Sequence, residues 1–196
     1  MKLHKPLILA SQSPRRQEIL SLAGFEFSVC PASTEWALDG LIPFDRVREL
    51  ARSKATEVAK MYPDSIILGS DTMVVLGETA LGKPRDEQDA VNMLMSLQGR
   101  SHEVMTGVWI IETDSFGNTV KEDGFTDVTT VDFWAFSEDE AREYIATKEP
   151  MDKAGAYGIQ GKGMRLVKGI NGDFFTVMGL PGGRLIRFLR GFLSTT

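Results

Sequence analysis

The chain has little cysteine, little histidine and no long apolar run, and each shortage excludes a class of protein. Cys30 is the single cysteine among 196 residues, so no intramolecular disulfide can form, which fits a reducing cytosol. His4 and His102 lie far from each other and from that cysteine, which excludes the common zinc spacings. No stretch approaches the ~20 apolar residues of a membrane helix, and the N-terminus lacks the features of a secretory signal. We therefore expect a cytoplasmic protein that does not contact a membrane.

Positive charge and the common nucleotide-binding motifs are also missing. A net charge of -5 argues against general nucleic-acid binding, which needs a basic surface. The chain has no phosphate-binding P-loop, no dinucleotide-binding glycine fingerprint and no Gly-x-Ser-x-Gly nucleophile motif. With 42% hydrophobic and 25% charged residues the composition is that of an ordinary globular protein, and no linker or repeat divides it. We expect one domain over residues 1–196.

Apolar periodicity predicts strands and helices in alternation. The predicted strands are residues 7–10, 25–29, 66–76, 104–111 and 125–136. The predicted helices begin at Pro14, Phe44, Asp86, Ser137 and Leu180, and end near Gly24, Met61, Leu97, Thr147 and Leu193. In the second helix one inward stripe is expected, formed by Phe44, Val47, Leu50, Ala51, Ala55, Val58 and Ala59. Asn171-Gly172 predicts a β-hairpin between residues 166–170 and 174–178. This pattern indicates an α/β fold with a mixed central sheet flanked by helices.

A polar turn rich in arginine follows the first predicted strand. The segment Ser11-Gln12-Ser13-Pro14-Arg15-Arg16 leads into the first turn of a helix. Free backbone N–H groups at a helix start attract anions, and the arginine fork suits phosphate oxygens. Two cations there oppose the helix dipole, which favours an anion site slightly over the alternative of a solvated first turn.

Asp71 interrupts the most apolar predicted strand, in the segment Gly69-Ser70-Asp71-Thr72. A carboxylate in a buried strand needs a metal or a cation as a partner, although an Asp bonded to the neighbouring backbone is equally compatible with the pattern. Thr72 alone is an ordinary strand residue. Taken alone, Lys83 in the turn Gly82-Lys83-Pro84 and Lys54 beside a helical apolar stripe are typical of surface lysines.

The glycine-rich segment 152–161 has two interpretations. Its backbone can press against a ligand while Tyr157 and Gln160 meet a base. Alternatively it is a turn whose tyrosine belongs to the core, which the residues alone favour.

Together these segments resemble the Maf family of nucleoside triphosphate pyrophosphatases. The resemblance rests on the segments 11–16, 70–72, 82–84 and 152–161, which occur in the family's order, and extends to Gly179-Leu180-Pro181. It implies a Maf or ITPase-like fold with two lobes around a nucleotide cleft. It also implies hydrolysis of the bond between the α- and β-phosphates, with a divalent cation (magnesium or manganese), and a homodimeric assembly.

The resemblance assigns roles by matched position. Asp71 would be the proton acceptor or a metal ligand. Lys54 and Lys83 would act at the phosphates during catalysis, and Ser11, Ser13, Arg15 and Arg16 would bind the substrate. Thr72 and Gln160 match the branch that acts on dTTP and UTP, whereas the branch acting on 7-methyl-GTP carries glutamine and glutamate at these places. An amide supplies the donor and the acceptor that the uracil or thymine edge requires.

The chain departs from the family pattern at the acidic position after the second strand. The segment reads Ser33-Thr34-Glu35-Trp36, and Trp36 occupies the place of the usual second acid when counted from Arg16. Counted back from Lys54, Glu35 takes that place, and we expect Glu35 to be the second catalytic and metal-binding acid. Two alternatives stay open: a non-catalytic nucleotide-binding regulator of cell division, and an enzyme for modified pyrimidine triphosphates.

Overall fold

The computed structural model describes residues 3–33, 38 and 40–192. The strands are β1 (Leu7–Leu9), β2 (Phe27–Val29), β3 (Ile66–Leu76), β4 (Thr79–Leu81), β5 (Ser101–Thr113), β6 (Thr119–Phe133) and β7 (Val167–Asn171). The α-helices are α1 (Pro14–Leu22), α2 (Pro43–Ala59), α3 (Glu87–Leu97), α4 (Glu138–Ala146), α5 (Phe174–Met178) and α6 (Gly182–Leu189). Short 3₁₀ turns cover Glu149–Asp152, Ala154–Ala156, Gly161–Leu166 and Arg190–Phe192.

The strands form one mixed sheet in the order β2-β1-β3-β5-β6-β7, with β4 paired to β3. β1 runs parallel to both β2 and β3, whereas β4 is antiparallel to β3 and β7 is antiparallel to β6. Every residue of β1 is buried, and so is every residue in the first half of β3. This burial explains why both segments appear in the sequence as continuous apolar runs. The predicted α/β class with a mixed central sheet is confirmed.

Several helices begin where the sequence places a capping residue or a proline. Pro14 and Pro43 occupy the first positions of α1 and α2, where a missing N–H costs no hydrogen bond. The carboxylate of Asp86 caps α3 by accepting the backbone N–H three residues on, at 2.7 Å. Ser137 and Glu140 form the predicted capping box of α4.

Two strand glycines allow α2 to lie directly on the sheet. A Cβ atom on Gly69 of β3 would come within 2.1 Å of the carbonyl oxygen of Ala51. A Cβ on Gly107 of β5 would come within 2.3 Å of the carbonyl oxygen of Val47. Since real Cβ atoms do not approach so closely, only glycine permits this helix-to-strand distance. The predicted inward stripe of α2 is wrong at its start, because Phe44 is 40% exposed.

By its contacts the described chain divides into two compact units. Unit 1 comprises residues 1–71, 106–127 and 179–196, and unit 2 comprises residues 72–105 and 128–178. Unit 1 contains an apolar cluster that includes Ile8, Ala55, Val58, Ile67 and Ile111. Unit 2 contains a larger one around α3 and α4 that includes Val91, Leu94, Phe133, Tyr144 and Tyr157. Within the described ranges, no helix has the length and hydropathy to cross a bilayer.

The predicted hairpin around Asn171-Gly172 is wrong. β7 ends at Asn171 and pairs with β6, and the next segment is the short helix α5. The cause is Asp173, whose carboxylate accepts the backbone N–H of Phe175 at 3.0 Å and so caps α5. The backbone N–H of Asp173 is in turn held by the hydroxyl of Thr129 at 2.9 Å, which fixes the chain against β6.

His102 is a buried polar residue in unit 2. Its Nε2 lies 2.7 Å from the hydroxyl of Tyr157, and its ring packs edge-on against Phe133 with 4.8 Å between centroids. Burial lowers the pKa of His102 to about 4, with the charge of Asp132 opposing the shift. The folded protein therefore holds this imidazole neutral at pH 7.

Replacing Gly69 by alanine is expected to lower the free energy of unfolding by about 1–3 kcal/mol, because the added methyl group forces α2 away from β3. Urea denaturation followed by circular dichroism measures the change. Gly169→Ala on β7 is the matched control, since its Cβ meets nothing within 4 Å. Equal stability of the two variants contradicts the close packing at Gly69.

Unfolding free energy is expected to fall as the pH drops from about 6.5 to about 4. The unfolded chain binds a proton at histidine's ordinary pKa of 6.5, whereas folded His102 stays neutral until about pH 4. The stability gained from holding His102 neutral is fully present above pH 6.5 and is lost by pH 4. It amounts to about 3 kcal/mol. In urea titrations at each pH, His102→Gln removes this part of the slope and His4→Gln retains it. An identical slope in the wild type and His102→Gln refutes the assignment.

Candidate functional site

The residues that the sequence assigns to a site are distributed over both units. Unit 1 contains Ser11, Ser13, Arg15, Arg16, Lys54 and Asp71. Unit 2 contains Thr72, Lys83 and Gln160. Glu35 and Trp36 lie outside the described residues, so the assignment of Glu35 as the second acid stays a prediction.

An ion pair between Lys54 and Asp71 forms the centre of the group in unit 1. Alternate side chains of a strand share a face, so Asp71 lies on the same face of β3 as Gly69. Lys54 stands between Ala51 and Ala55, the two α2 residues whose backbone lies against Gly69. Its Nζ donates a hydrogen bond to Oδ1 of Asp71, and the two side chains are 25% and 19% exposed. The carboxylate in the apolar strand therefore has a cation as its partner.

Arg16 is held beside this pair by two hydrogen bonds. Its Nε donates to the carbonyl oxygen of Gly179 at 2.8 Å, and one terminal nitrogen donates to the hydroxyl of Ser11 at 2.9 Å. The hydroxyl of Ser70, the residue before Asp71, donates to the same Gly179 carbonyl at 3.0 Å. One backbone oxygen thus ties the start of α1 to β3 and fixes the guanidinium relative to the strand that carries Asp71.

The electrostatics of unit 1 follow from this arrangement. Burial lowers the pKa of the Arg16 guanidinium, while the charge of Asp71 opposes the shift and the charge of Arg15 adds to it. Arg16 still carries its charge at pH 7, because the ordinary guanidinium pKa is far higher. Arg15 is half-buried and has no ion-pair partner among the described residues. Around the carboxylate of Asp71, cationic charge therefore exceeds anionic charge, and this excess favours an anionic ligand.

Ser13 opens α1 without capping it. Its side chain makes no capping hydrogen bond, and its backbone N–H donates to the hydroxyl of Ser11 at 3.3 Å. The predicted turn and helix start are confirmed, whereas binding of an anion there stays a prediction. Ser11 itself is buried and bonded to Arg16, so it serves to orient the guanidinium whatever else it contacts.

In unit 2, hydrogen bonding and packing connect the turn of Lys83 with the glycine-rich segment. The backbone N–H of Gly155 donates to the carbonyl oxygen of Gly82 at 3.0 Å. Gly155 also lies against Val74 of β3, where an added Cβ would come within 2.9 Å of the valine side chain. Val74 pairs with Leu81 of β4, immediately before Gly82. The strand that carries Thr72, the Lys83 turn and the glycine-rich segment therefore form one structural group.

The three predicted residues in this group differ in exposure. Lys83 is exposed, whereas Thr72 and Gln160 are half-buried. The side-chain amide of Gln160 has no hydrogen-bond partner in the part of the chain that the structure describes. A half-buried amide of this kind retains its donor and its acceptor for a ligand.

Tyr157 belongs to the core, as the residues alone favoured. It is 5% exposed, and its hydroxyl lies against His102. Sequence reasoning missed two residues that organise the segment, Tyr144 and Glu149, which accept hydrogen bonds from backbone N–H groups of residues 158–163. It also gave the Gly179 carbonyl no role, because a backbone acceptor leaves no signal in residue type.

Comparisons with known proteins identify the relatives of this chain. Residues 6–192 match the family model described as Maf-like protein. A Bacillus velezensis protein named dTTP/UTP pyrophosphatase is 49% identical over 96% of this chain and 97% of its own length. A Bacillus cereus protein of the same name is 47% identical over 96% of this chain and 90% of its own. In the solved structure of the Staphylococcus aureus Ham1 protein, 80% of that chain aligns with 83% of this one, at a TM-score of 0.47 and 13% identity.

The family model matches nearly the whole chain, and the two Bacillus relatives share almost half of its residues. The chain belongs to the Maf-like protein family.

Proposed function

We propose that this protein is a nucleoside triphosphate pyrophosphatase that hydrolyses dTTP and UTP to the monophosphate and pyrophosphate. The observation that carries the proposal is the half-buried Lys54–Asp71 pair, with the oriented guanidinium of Arg16 beside it. The carboxylate supplies a proton acceptor, and the cations around it supply a binding surface for phosphate. Relatives named dTTP/UTP pyrophosphatase support the same activity and suggest the substrates.

In this proposal the phosphate-binding residues of unit 1 are Ser11, Ser13, Arg15, Arg16 and Lys54. Arginine binds phosphate oxygens through a planar fork, and its geometry is already set here by the bonds of Arg16 to Gly179 and Ser11. Because the guanidinium of Arg16 is fixed before substrate arrives, it needs little reorganisation when charge develops on the reacting phosphoryl group.

The reaction adds one water across the bond between the α- and β-phosphates. The water oxygen bonds to the α-phosphorus. The bond from that phosphorus to the oxygen that bridges to the β-phosphate breaks, and pyrophosphate departs. Asp71 accepts the water proton through its carboxylate, while Lys54 holds that carboxylate through Oδ1. Lys83 of unit 2 would stabilise the negative charge on the leaving phosphates. Positioning and charge stabilisation supply most of the rate in phosphoryl transfer.

A divalent cation fits the donor set at Asp71. Magnesium binds through one or two carboxylates and completes its coordination with water and substrate phosphates. Among the described residues no group of three or more histidines, cysteines or acids forms a closed metal cage, so substrate phosphates would supply the remaining ligands. Asp71, and Glu35 as the second acid, would hold the ion (magnesium or manganese), which when bound neutralises phosphate charge.

Thr72 and Gln160 would read the base. The amide of Gln160 offers one donor and one acceptor, which the imide edge of uracil or thymine can satisfy together. We further propose that residues 1–196 act as one pyrophosphatase domain, in a cytoplasmic homodimer. The physiological role would be in nucleotide metabolism, with modified pyrimidine triphosphates as a further substrate class.

Purified protein is expected to release pyrophosphate from dTTP and UTP in the presence of magnesium or manganese, and to stop when the metal is chelated. Asp71→Asn should lower kcat/KM by about 100-fold or more, because general base catalysis contributes about that much. A pyrophosphate-release assay over standard and modified nucleotides measures both effects. Asp139→Asn, an exposed aspartate on α4, is the matched control.

One result contradicts the proposed activity, and a second observation then tests the alternative. Release of no pyrophosphate from any nucleotide with any metal contradicts the activity. If the same preparation binds triphosphates tightly, it supports the alternative of a nucleotide-binding regulator.

Gln160→Ala should lower kcat/KM for UTP and dTTP by about 10- to 100-fold, which corresponds to about 1.4–2.8 kcal/mol from unsatisfied base contacts. The loss should be smaller for other nucleotides, and steady-state kinetics on parallel substrates measure it. Gln98→Ala removes a half-buried amide outside the proposed site and should change neither value. An equal loss for all nucleotides would exclude base reading by Gln160.

A further inference from the structure

The carboxylate of Glu149 accepts two hydrogen bonds from the backbone that follows Gln160. Its Oε2 accepts the backbone N–H of Lys162 at 2.9 Å, and its Oε1 accepts the backbone N–H of Gly163 at 3.1 Å. Glu149 lies in the 3₁₀ turn after α4, far from these residues in sequence. One side chain therefore fixes the chain just after the proposed base-reading residue.

The hydroxyl of Tyr144 fixes the chain just before it. Tyr144 on α4 is fully buried and donates to Oε1 of Glu149 at 2.9 Å. The same hydroxyl accepts the backbone N–H of Gly158 at 3.1 Å. Tyr144 and Glu149 thus form a clasp, defined here as these two side chains with their bonds to Gly158, Lys162 and Gly163.

Two glycines in the segment are required by the closeness of the clasp. An added Cβ on Gly161 would lie 2.7 Å from Oε2 of Glu149, and Gly161 has a positive φ of +67°. An added Cβ on Gly163 would lie 2.6 Å from the hydroxyl oxygen of Tyr144. At Gly163 an added Cβ would also come within 2.1 Å of the backbone carbonyl oxygen of Gly158, and at Gly161 the positive φ disfavours any side chain. The glycines therefore have a role in this chain beyond turn formation.

The clasp also determines the charge state of its carboxylate. Burial opposes ionisation of Glu149, but the hydrogen bonds from Lys162, Tyr144 and Gly163 prevail and lower its pKa below the ordinary value. An ionised carboxylate accepts hydrogen bonds at both oxygens, and charge-assisted bonds are the stronger kind. The clasp is consequently intact at neutral pH.

Gln160 lies between the two clasped stretches, with a side-chain amide that has no partner within the described ranges. We propose that Tyr144 and Glu149 are positioning residues that hold Gln160 in the orientation that selects uracil or thymine; this inference rests on the proposed function. Uracil presents an N–H donor between two carbonyl acceptors, whereas cytosine presents an amino group in place of one acceptor. Discrimination between the two bases depends on where the amide lies relative to the base edge, and the clasp fixes the backbone on either side of the residue that carries it.

Tyr144→Phe and Glu149→Gln test the proposal by the ratio of kcat/KM for UTP to that for CTP. Both changes preserve side-chain shape and remove clasp bonds. We expect the ratio to fall by about 5- to 10-fold in each, through a rise in KM for UTP larger than the fall in kcat. In the Gln160→Ala background the same changes should lower the ratio no further. Amide hydrogen exchange should speed up at Gly158, Lys162 and Gly163.

Tyr157→Phe is the matched control, because it removes an equally buried hydroxyl of the same segment that bonds His102 instead of the clasp. It should lower stability without changing the UTP-to-CTP ratio. If the wild type turns over UTP and the ratio is unchanged in both clasp variants, or falls equally in Tyr157→Phe, the positioning role is wrong. If the wild type turns over no nucleotide, the proposed function itself is contradicted.

Discussion

The contact between α2 and β3 at Gly69 is the constraint on which the proposed site depends. A side chain at this position would meet the Ala51 carbonyl oxygen at 2.1 Å, so the helix lies at a distance that only glycine permits. Lys54, on the helix between Ala51 and Ala55, then reaches Asp71 two residues further along the strand. A carboxylate that would be costly in an apolar strand is thereby paired. Arg16, held through the Gly179 carbonyl, completes the charge distribution.

Unit 2 uses the same physical means for a different purpose. Gly155 lies against Val74, and Gly161 and Gly163 lie against the clasp, so the backbone approaches other groups where a side chain would collide. Polar side chains then satisfy backbone amides of the segment, as Glu149 does for Lys162 and Gly163. Some glycines in both units thus serve close approach and several buried polar groups serve orientation, whereas the amide of Gln160 has no partner among the described residues and stays available to a ligand.

The sequence predicts the elements better than their contacts. Apolar periodicity and capping residues predict β3, α3 and α4 because these features are local. The hairpin prediction at Asn171-Gly172 is wrong because Asp173 caps a helix there, aided by Thr129 from a distant strand. Asp71 is recognisable as a carboxylate in an apolar strand, whereas Lys54 resembles any surface lysine until the helix is placed. Glu149 gives no signal, since its partners are mainly backbone amides.

The most direct test of this account is a double-mutant cycle on Lys54 and Asp71, measured by kcat/KM for UTP in folded variants. Because the two side chains act as one unit, Lys54→Met, Asp71→Asn and the double variant should each lose about 100-fold or more, with the double variant no worse than the poorer single one. Strictly additive losses, or a double variant as active as the wild type, would contradict the claim that this pair is the functional centre.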